Sequence, residues 1–202
     1  MVERRDREVE TLKAVFRLVL RKPDGTRETS RGALVVAPPD RLRLQIFSAG
    51  LVTAYDYTVN GDHFRARRPL EGLQQVGRFG DPKAGDEAVH QYDLRPLFLR
   101  PGDSGPGRVE DRGATYRVVF GPEEERREIE VSKEKGEIVG ETIYSGGKPR
   151  LRARYRHYRG ANHARLPYRI DVEYPADAVK LEIEITRYTL NEPADPQLFE
   201  IR

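Results

Sequence analysis

The stretch Arg41-Leu42-Arg43-Leu44-Gln45-Ile46-Phe47 decides the fold class, because apolar and polar side chains alternate along it. Successive side chains of a β-strand point to opposite faces. Leu42, Leu44 and Ile46 therefore fall on one face, and the polar residues between them fall on the other. A period of two predicts an antiparallel strand with one face in the core and the other in water.

Similar strands are predicted before and after this stretch. Residues Ala14–Leu20 are rich in β-branched and aromatic side chains, and Pro23-Asp24-Gly25 predicts a turn into a return strand at Thr29–Val36. A turn at Ser48–Leu51 leads into the strand Val52–Val59, which is followed by the hairpin signal Asn60-Gly61. Further strands are predicted at Thr115–Phe120, Arg127–Val131, Glu137–Tyr144, Arg150–Tyr158, Tyr168–Tyr174 and Val179–Tyr188.

Helices are predicted in only two places. The Arg- and Glu-rich segment Val2–Leu12 favours a short helix, and Asp86–Leu99 carries helical spacing that a proline interrupts. The polar stretch Pro69–Gly85 breaks the strand rhythm, and Pro101–Gly107 is typical of a loop inside the domain. We therefore predict a single, mostly β domain over residues 1–202. About eleven antiparallel strands would form a sandwich or open barrel, with the few helices packed on one side.

Composition excludes several classes of protein. The chain has 202 residues, 37% of them hydrophobic and 34% charged, so it can bury the core of one domain. Its 36 basic and 33 acidic residues leave a net charge of only +3, so bulk charge makes no case for a nucleic-acid partner. No cysteine is present, which excludes disulfides, thiolate metal sites and cysteine nucleophiles.

No local pattern indicates catalysis or metal binding. The histidines His63, His90, His157 and His163 lack the close spacing of metal ligands, and no serine lies in a nucleophile-elbow pattern. The acidic run Glu123–Glu125 lies in a turn led by proline, where solvated charge is the ordinary explanation. We predict no catalytic residue, no metal and no cofactor, and thus a protein that is not an enzyme.

A basic stretch without acidic residues is the sharpest local anomaly. Its members are Lys148, Arg150, Arg152, Arg154, Arg156, Arg159, Arg165 and Arg169. On a strand, the first arginines share one face, while Leu151, Ala153, Tyr155 and His157 fall on the other.

Three interpretations of the basic stretch remain open. It forms a solvated outer face balanced by acidic neighbours such as Glu182 and Glu184, or it contacts anionic lipid or an acidic protein, or it binds single-stranded nucleic acid. We favour the first interpretation and predict no nucleic-acid partner.

Short motifs follow one another in a fixed order in the first half of the chain. Gly32–Val36 reads Gly-x-Leu-x-Val, and Pro39–Leu44 reads as a proline followed by an Arg-containing apolar strand. Phe47–Leu51 then forms a turn, and Tyr57–Phe64 reads as strand, Asn-Gly, strand. Each motif is degenerate, so their common order carries the signal.

The order continues to the end of the chain. Leu166–Ile170 reads Leu-Pro-x-x-Ile, and Leu190–Phe199 reads Leu-Asn, a polar loop and Leu-Phe. Together these motifs resemble the LolA/LolB superfamily of periplasmic lipoprotein carriers and receptors, over nearly the whole chain. The resemblance implies an incomplete antiparallel barrel of about eleven strands, closed by helices over an apolar cavity.

The resemblance further implies a non-catalytic carrier or receptor that holds the acyl chains of lipoproteins or related lipids in this cavity. Burial contributes about 0.8 kcal/mol per methylene, so an apolar wall suffices for affinity. The candidate wall residues are Leu34, Val36, Leu42, Leu44, Ile46, Tyr55, Tyr57, Val118, Phe120, Ile170, Val172, Leu181 and Ile183. The alternative that these residues only form a packed core stays open, because barrels of this size are filled or hollow.

The resemblance also implies a membrane-delivery loop at Ala49, Gly50 and Leu51, where this chain replaces the Asn-Pro-Leu-Gly turn of LolB-type members. It implies a monomer that contacts membranes and a carrier or receptor of the same family. The first residues lack the apolar core of a signal peptide. We therefore expect either a cytoplasmic protein or a periplasmic one whose export segment, and any N-terminal lipid anchor to the outer membrane, are missing from this chain.

Rival functions come from other classes. One is a structural or interaction domain of the cell envelope with a filled core, and another is polyanion binding through the Arg150–Arg169 stretch. An unrecognised hydrolase is the third.

Overall fold

The structure is a computed structural model that describes residues 9–48, 51–79, 81, 94–98, 107–161 and 164–201. Its thirteen strands form one open, mostly antiparallel sheet. The strands are β1 (Leu12–Arg21), β2 (Arg27–Ala37), β3 (Arg41–Phe47), β4 (Thr53–Asn60), β5 (His63–Arg68), β6 (Leu73–Arg78), β7 (Arg108–Arg112), β8 (Thr115–Phe120), β9 (Arg127–Ser132), β10 (Ile138–Ser145), β11 (Lys148–Ala161), β12 (Ala164–Tyr174) and β13 (Val179–Leu190). Their order in the sheet is β6-β5-β4-β3-β2-β1-β13-β12-β11-β10-β9-β8-β7.

Helical structure is sparse in the described residues. The one α-helix of the described ranges is α1 (Arg95–Phe98), and 3-10 turns lie at Pro69–Glu71, Glu123–Glu125 and Pro196–Phe199. In the part of the chain that the structure describes, no helix has the length and apolar character needed to span a bilayer.

The chain divides into two compact units. Residues 9–16, 30–48, 51–79, 81, 94–98 and 186–201 form one unit, named here the β3–β6 unit after the strands it contains whole. Residues 17–29, 107–161 and 164–185 form the other, the β7–β12 unit. Strands β1, β2 and β13 each divide between the units. The single domain over residues 1–202 stays a prediction.

The alternation in β3 has the structural consequence expected from the sequence. Leu42 and Leu44 are buried, whereas Arg43 between them is partly exposed. Antiparallel pairing aligns Leu44 with Leu34 of β2 and Tyr57 of β4, so neighbouring strands turn their apolar residues to the same face. The predicted fold class, a mostly antiparallel, unclosed sheet with few helices, is confirmed.

The described residues contain thirteen strands rather than about eleven, because two strands lie where the sequence predicted none. Strand β6 falls within the stretch Pro69–Gly85, and β7 precedes the predicted strand Thr115–Phe120. Both are the end strands of the sheet. In β6 the apolar side chains Leu73 and Val76 are 51% and 48% exposed, so the strand has no buried face that would impose a period of two.

The helix predictions have different outcomes. For Val2–Leu12, residues 2–8 lie outside the described part of the chain, Val9–Thr11 are not helical, and Leu12 begins β1. The helix prediction is therefore wrong for Val9–Leu12, where apolar and β-branched residues lead directly into strand β1. Helix α1 lies inside the predicted segment Asp86–Leu99, whose other residues except Leu94 lie outside the described part.

Gly32 marks a point of close packing in the β3–β6 unit. A Cβ atom at position 32 would overlap Cζ in the ring of Phe16, a buried residue of β1. It would also lie 2.9 Å from the backbone oxygen of Gln45. The glycine therefore leaves the space that the Phe16 ring fills.

We expect Gly32→Ala to lower the free energy of unfolding by about 1–3 kcal/mol, because the added methyl group overpacks the Phe16 ring. Gly160→Ala is the matched control, since a Cβ there meets no atom within 4 Å. Urea denaturation of both variants measures the difference. Equal stability of the two variants would contradict the assigned packing.

Candidate functional site

Seven of the predicted cavity residues belong to the β3–β6 unit, and strand pairing places all of them on one face. They are Leu34, Val36, Leu42, Leu44, Ile46, Tyr55 and Tyr57. Ile46 and Tyr55 lie opposite each other and are half-buried, whereas the other five residues are buried. The structure thus gathers these seven side chains into a continuous apolar surface, named here the β3–β6 apolar face.

Aromatic rings extend this face towards helix α1. The rings of Tyr55 and Tyr57 stack with centroids 6.1 Å apart, and Tyr57 lies 6.4 Å from Phe64 of β5. Phe64 in turn lies 5.1 Å from Phe79. The Arg95 guanidinium of α1 sits 3.5 Å from the centroid of the Phe79 ring, a cation–π contact that attaches the helix to this aromatic row.

The other six predicted cavity residues belong to the β7–β12 unit. They are Val118, Phe120, Ile170, Val172, Leu181 and Ile183. One line of paired residues crosses six strands of this unit, namely Val118, Ile129, Glu141, Ala153, Val172 and Leu181. Of the six predicted cavity residues, Val118 and Phe120 are half-buried. The other four predicted residues are buried, namely Ile170, Val172, Leu181 and Ile183. The six residues therefore share one face, the β7–β12 apolar face.

The β7–β12 apolar face contains a polar cluster that the sequence patterns do not predict. Glu141 is 3% exposed and lies in the line of paired apolar residues. One of its carboxylate oxygens accepts a bond from Nε of Arg127 at 2.9 Å, and the other accepts the hydroxyl of Tyr155 at 2.8 Å.

This cluster connects three adjacent strands, because Arg127 lies in β9, Glu141 in β10 and Tyr155 in β11. Both carboxylate oxygens are satisfied, as a buried charge requires. The available sequence signal is that Arg127 and Glu141 each stand two residues before an isoleucine, where alternation favours an apolar residue.

The predicted delivery loop is described only at Leu51, since Ala49 and Gly50 lie outside the described residues. Leu51 is 67% exposed, and the next residue, Val52, is also exposed. The backbone N–H of Leu51 donates to the Ser48 carbonyl at 3.2 Å, and Leu51 has a positive φ of 62°. This turn presents two apolar side chains to solvent.

The basic stretch lies along β11 and β12, where its arginines face outward. Arg150, Arg152, Arg154 and Arg156 are all exposed, and Leu151, Ala153 and Tyr155 between them are buried. His157 is an exception to the predicted alternation, because it is exposed and has a positive φ of 55°.

Acidic residues of neighbouring strands balance part of this charge. Arg169 lies 3.0 Å from Asp171 and 3.4 Å from Glu182, and Arg156 lies 3.4 Å from Asp171. Glu182 also accepts a bond from Arg21 at 2.7 Å. That bond and the positive charges of Arg21 and Arg169 hold the pKa of Glu182 below its usual range. This geometry is that of a solvated, partly neutralised outer face.

Histidines and carboxylates do not converge into a metal-binding group within the described residues. His63 is exposed and its Nδ1 lies 2.6 Å from Asp62. His90 and His163 lie outside the described residues.

Comparison with solved structures shows which fold this geometry belongs to. A LolA superfamily protein from Nitrosomonas europaea superposes with a TM-score of 0.66 at 13% identity, over 95% of this chain and 90% of that one. The chain has a LolA/LolB-like fold.

Two further structures share the LolA/LolB-like fold across nearly the full length. A DUF1329 family protein from Desulfovibrio piger superposes with a TM-score of 0.73 at 10% identity, over 98% of this chain and 93% of that one. A domain from Vibrio parahaemolyticus, assigned as an outer membrane lipoprotein-sorting protein, gives 0.61 at 9% identity, over 98% and 94%. No protein-family model and no curated protein sequence matches the chain.

The lowered pKa of Glu182 makes its stabilising effect dependent on pH. A carboxylate whose pKa is lower in the folded state stabilises the fold above its unfolded pKa of about 4.3, and the effect is lost as pH falls through the folded pKa. We expect Glu182→Gln to cost about 0.2–1 kcal/mol at neutral pH, because the pair is partly exposed, and to match the wild type in strong acid.

Urea denaturation from neutral to strongly acidic pH measures this convergence. Glu184→Gln is the control, since Glu184 lies two residues further along the same strand and has no ion pair within the described part of the chain. A pH-independent difference at Glu182, or the same pH dependence at Glu184, would contradict the assigned role.

Proposed function

We propose that the chain is a non-catalytic carrier or outer-membrane receptor that binds the acyl chains of lipoproteins or related lipids. The observation that carries the proposal is the full-length fold match to a LolA superfamily protein and to a domain assigned to lipoprotein sorting. The two apolar faces support it, because acyl chains require apolar surface and no reacting group. The proposal places the protein in the periplasm or at the outer membrane, as a monomer that exchanges cargo with a protein of the same family.

The exposed parts of the apolar faces are where an acyl chain would make contact. On the β3–β6 apolar face, Ile46 and Tyr55 are half-buried, whereas Leu44 is buried. A charge at Leu44 would be enclosed and would unfold the protein whether the face binds lipid or forms a packed core. A charge at Ile46 reaches solvent, so Ile46 is the better position to test.

A second candidate function is an interaction domain with a filled core. The burial of five of the seven predicted residues on the β3–β6 apolar face favours it. This candidate predicts no affinity for apolar ligands.

We expect the purified protein to carry or take up one acyl ligand, detected by native mass spectrometry, lipid extraction and displacement of a fluorescent fatty acid. Ile46→Glu should weaken binding of the fluorescent probe by about tenfold or more, since a charge replaces apolar contact area. Gln45→Glu adds the same charge on the opposite face of β3 and should bind as the wild type does.

An empty protein that binds no apolar probe would contradict the carrier proposal and favour the filled-core domain. Equal loss of binding in the Ile46 and Gln45 variants would show that net charge, rather than the apolar face, controls binding. Circular dichroism of each variant establishes that the fold is retained.

Leu51 and Val52 are proposed to enter the membrane surface when cargo is delivered. Their exposure supports this role, because apolar side chains at the surface can insert into a bilayer. A carboxylate at the same position is repelled by anionic lipid and resists insertion. We expect Leu51→Glu to keep wild-type stability within about 0.5 kcal/mol and to abolish transfer of a bound fluorescent lipid to vesicles.

Val109→Glu is the control for the transfer assay. Val109 is a similarly exposed apolar residue, at 62%, and lies in β7, a strand of the β7–β12 unit. Normal transfer by the Leu51 variant, or equal loss in the Val109 variant, would contradict a specific role for this loop.

A further inference from the structure

Three arginines lie close together on the polar side of the β3–β6 unit, opposite the β3–β6 apolar face. In the strand register, Thr58 of β4 lies between Arg43 of β3 and Arg65 of β5. Arg67 lies two residues after Arg65 and pairs in register with Asp56. Side chains on one face of paired strands are neighbours, so long side chains at these positions share one patch, named here the arginine cluster.

Among the residues that the structure describes, the arginine cluster contains a single acidic side chain. Asp56 is 4% exposed, and its two carboxylate oxygens accept bonds from Nε and Nη2 of Arg43 at 3.0 and 2.9 Å. In this paired geometry, the Asp56 carboxylate compensates the positive charge of Arg43. Arg65 and Arg67 therefore leave the patch with about two uncompensated positive charges.

The hydrogen-bonding capacity of these two arginines is largely unused. The Nε atom of Arg65 is shielded from solvent and has no hydrogen-bond partner in the described part of the chain. Its Nη2 lies 3.4 Å from the Thr58 hydroxyl, which is a long contact. Arg67 makes no hydrogen bond or ion pair with any described residue.

The environment of Arg65 is unfavourable for an isolated cation. Burial lowers the pKa of its guanidinium, the Asp56 charge opposes that effect, and Arg67 and Arg43 add to it. A buried donor without an acceptor and like charges side by side both cost free energy. A bound anion would remove both costs.

We propose that Arg43, Arg65 and Arg67 form a binding site for a phosphate group. Guanidinium forks bind phosphate oxygens through paired hydrogen bonds, and a phosphate monoester carries close to the two negative charges that the patch lacks. A carboxylate would supply only one negative charge. The phosphate is that of a lipid headgroup or of a free phosphate compound, and the site is independent of the acyl-binding proposal.

Inorganic phosphate is the first probe, titrated against the full chain by calorimetry at fixed ionic strength. The wild type should bind phosphate and gain thermal stability, because the ligand binds only the folded state. Arg67→Gln should lose about tenfold or more in affinity and lose the thermal shift. Its unliganded melting temperature should equal or exceed that of the wild type, since the change relieves repulsion, whereas a structural role for Arg67 would lower it.

Arg152→Gln is the matched control, because it removes the same charge from an exposed arginine of β11 that has no ion pair within the described residues. It should keep wild-type phosphate affinity. Failure of the wild type to bind phosphate, or equal loss in the two variants, would overturn the proposal. Arg67→Lys keeps the charge without the fork and should recover only part of the affinity.

Vesicles distinguish the two sources of phosphate. Phosphatidylcholine vesicles containing phosphatidic acid are compared with vesicles that contain oleic acid at the same surface potential. Binding to the phosphatidic acid vesicles that is lost in Arg67→Gln, while the same substitution leaves binding to the oleic acid vesicles unchanged, supports a lipid headgroup as the ligand. Phosphate binding without vesicle binding supports a free phosphate compound.

Discussion

The structure depends on the register between β3 and its neighbours. Because side chains alternate with a period of two, a slip of one residue would carry Arg43 to the apolar face and Leu44 to the polar one. The observed register aligns Leu44 with Leu34 and Tyr57 and leaves Arg43 beside Asp56. Both the apolar face and the arginine cluster of this unit therefore result from the same pairing.

Charged residues are treated differently in the two units. In the β7–β12 unit, Glu141 lies on the apolar face and is compensated there by Arg127 and Tyr155. Removing one partner of such a buried pair is far more costly than losing a surface ion pair, because it leaves a charge without compensation. In the β3–β6 unit, Asp56 compensates one arginine of three. The Glu141 cluster links three adjacent strands, whereas the arginines around Asp56 keep positive charge that a ligand could compensate.

Local patterns in the sequence predicted the strands and the fold class, because these features depend on residues that are close together in the chain. The alternation around Leu42 and Leu44 predicted a half-buried strand, and the fold class followed from similar patterns elsewhere. Strand β6 was missed because its apolar residues are exposed, so burial does not impose alternation on it. The arginine cluster was missed because Arg43 and Arg65 are separated by 22 positions in the numbering and meet only through the pairing of both strands with β4.

The position of the arginine cluster limits what a bound lipid could do. Tyr57 and Thr58 are successive residues of β4, so they point to opposite faces of the sheet, one into the apolar face and one beneath the arginines. One lipid molecule cannot place its acyl chain against Tyr57 and its phosphate against Arg65, because the backbone of the sheet separates them. A headgroup bound at the cluster would belong to a lipid other than the cargo held on the β3–β6 apolar face. In that case the cluster would attach the protein to a membrane surface rather than select its cargo.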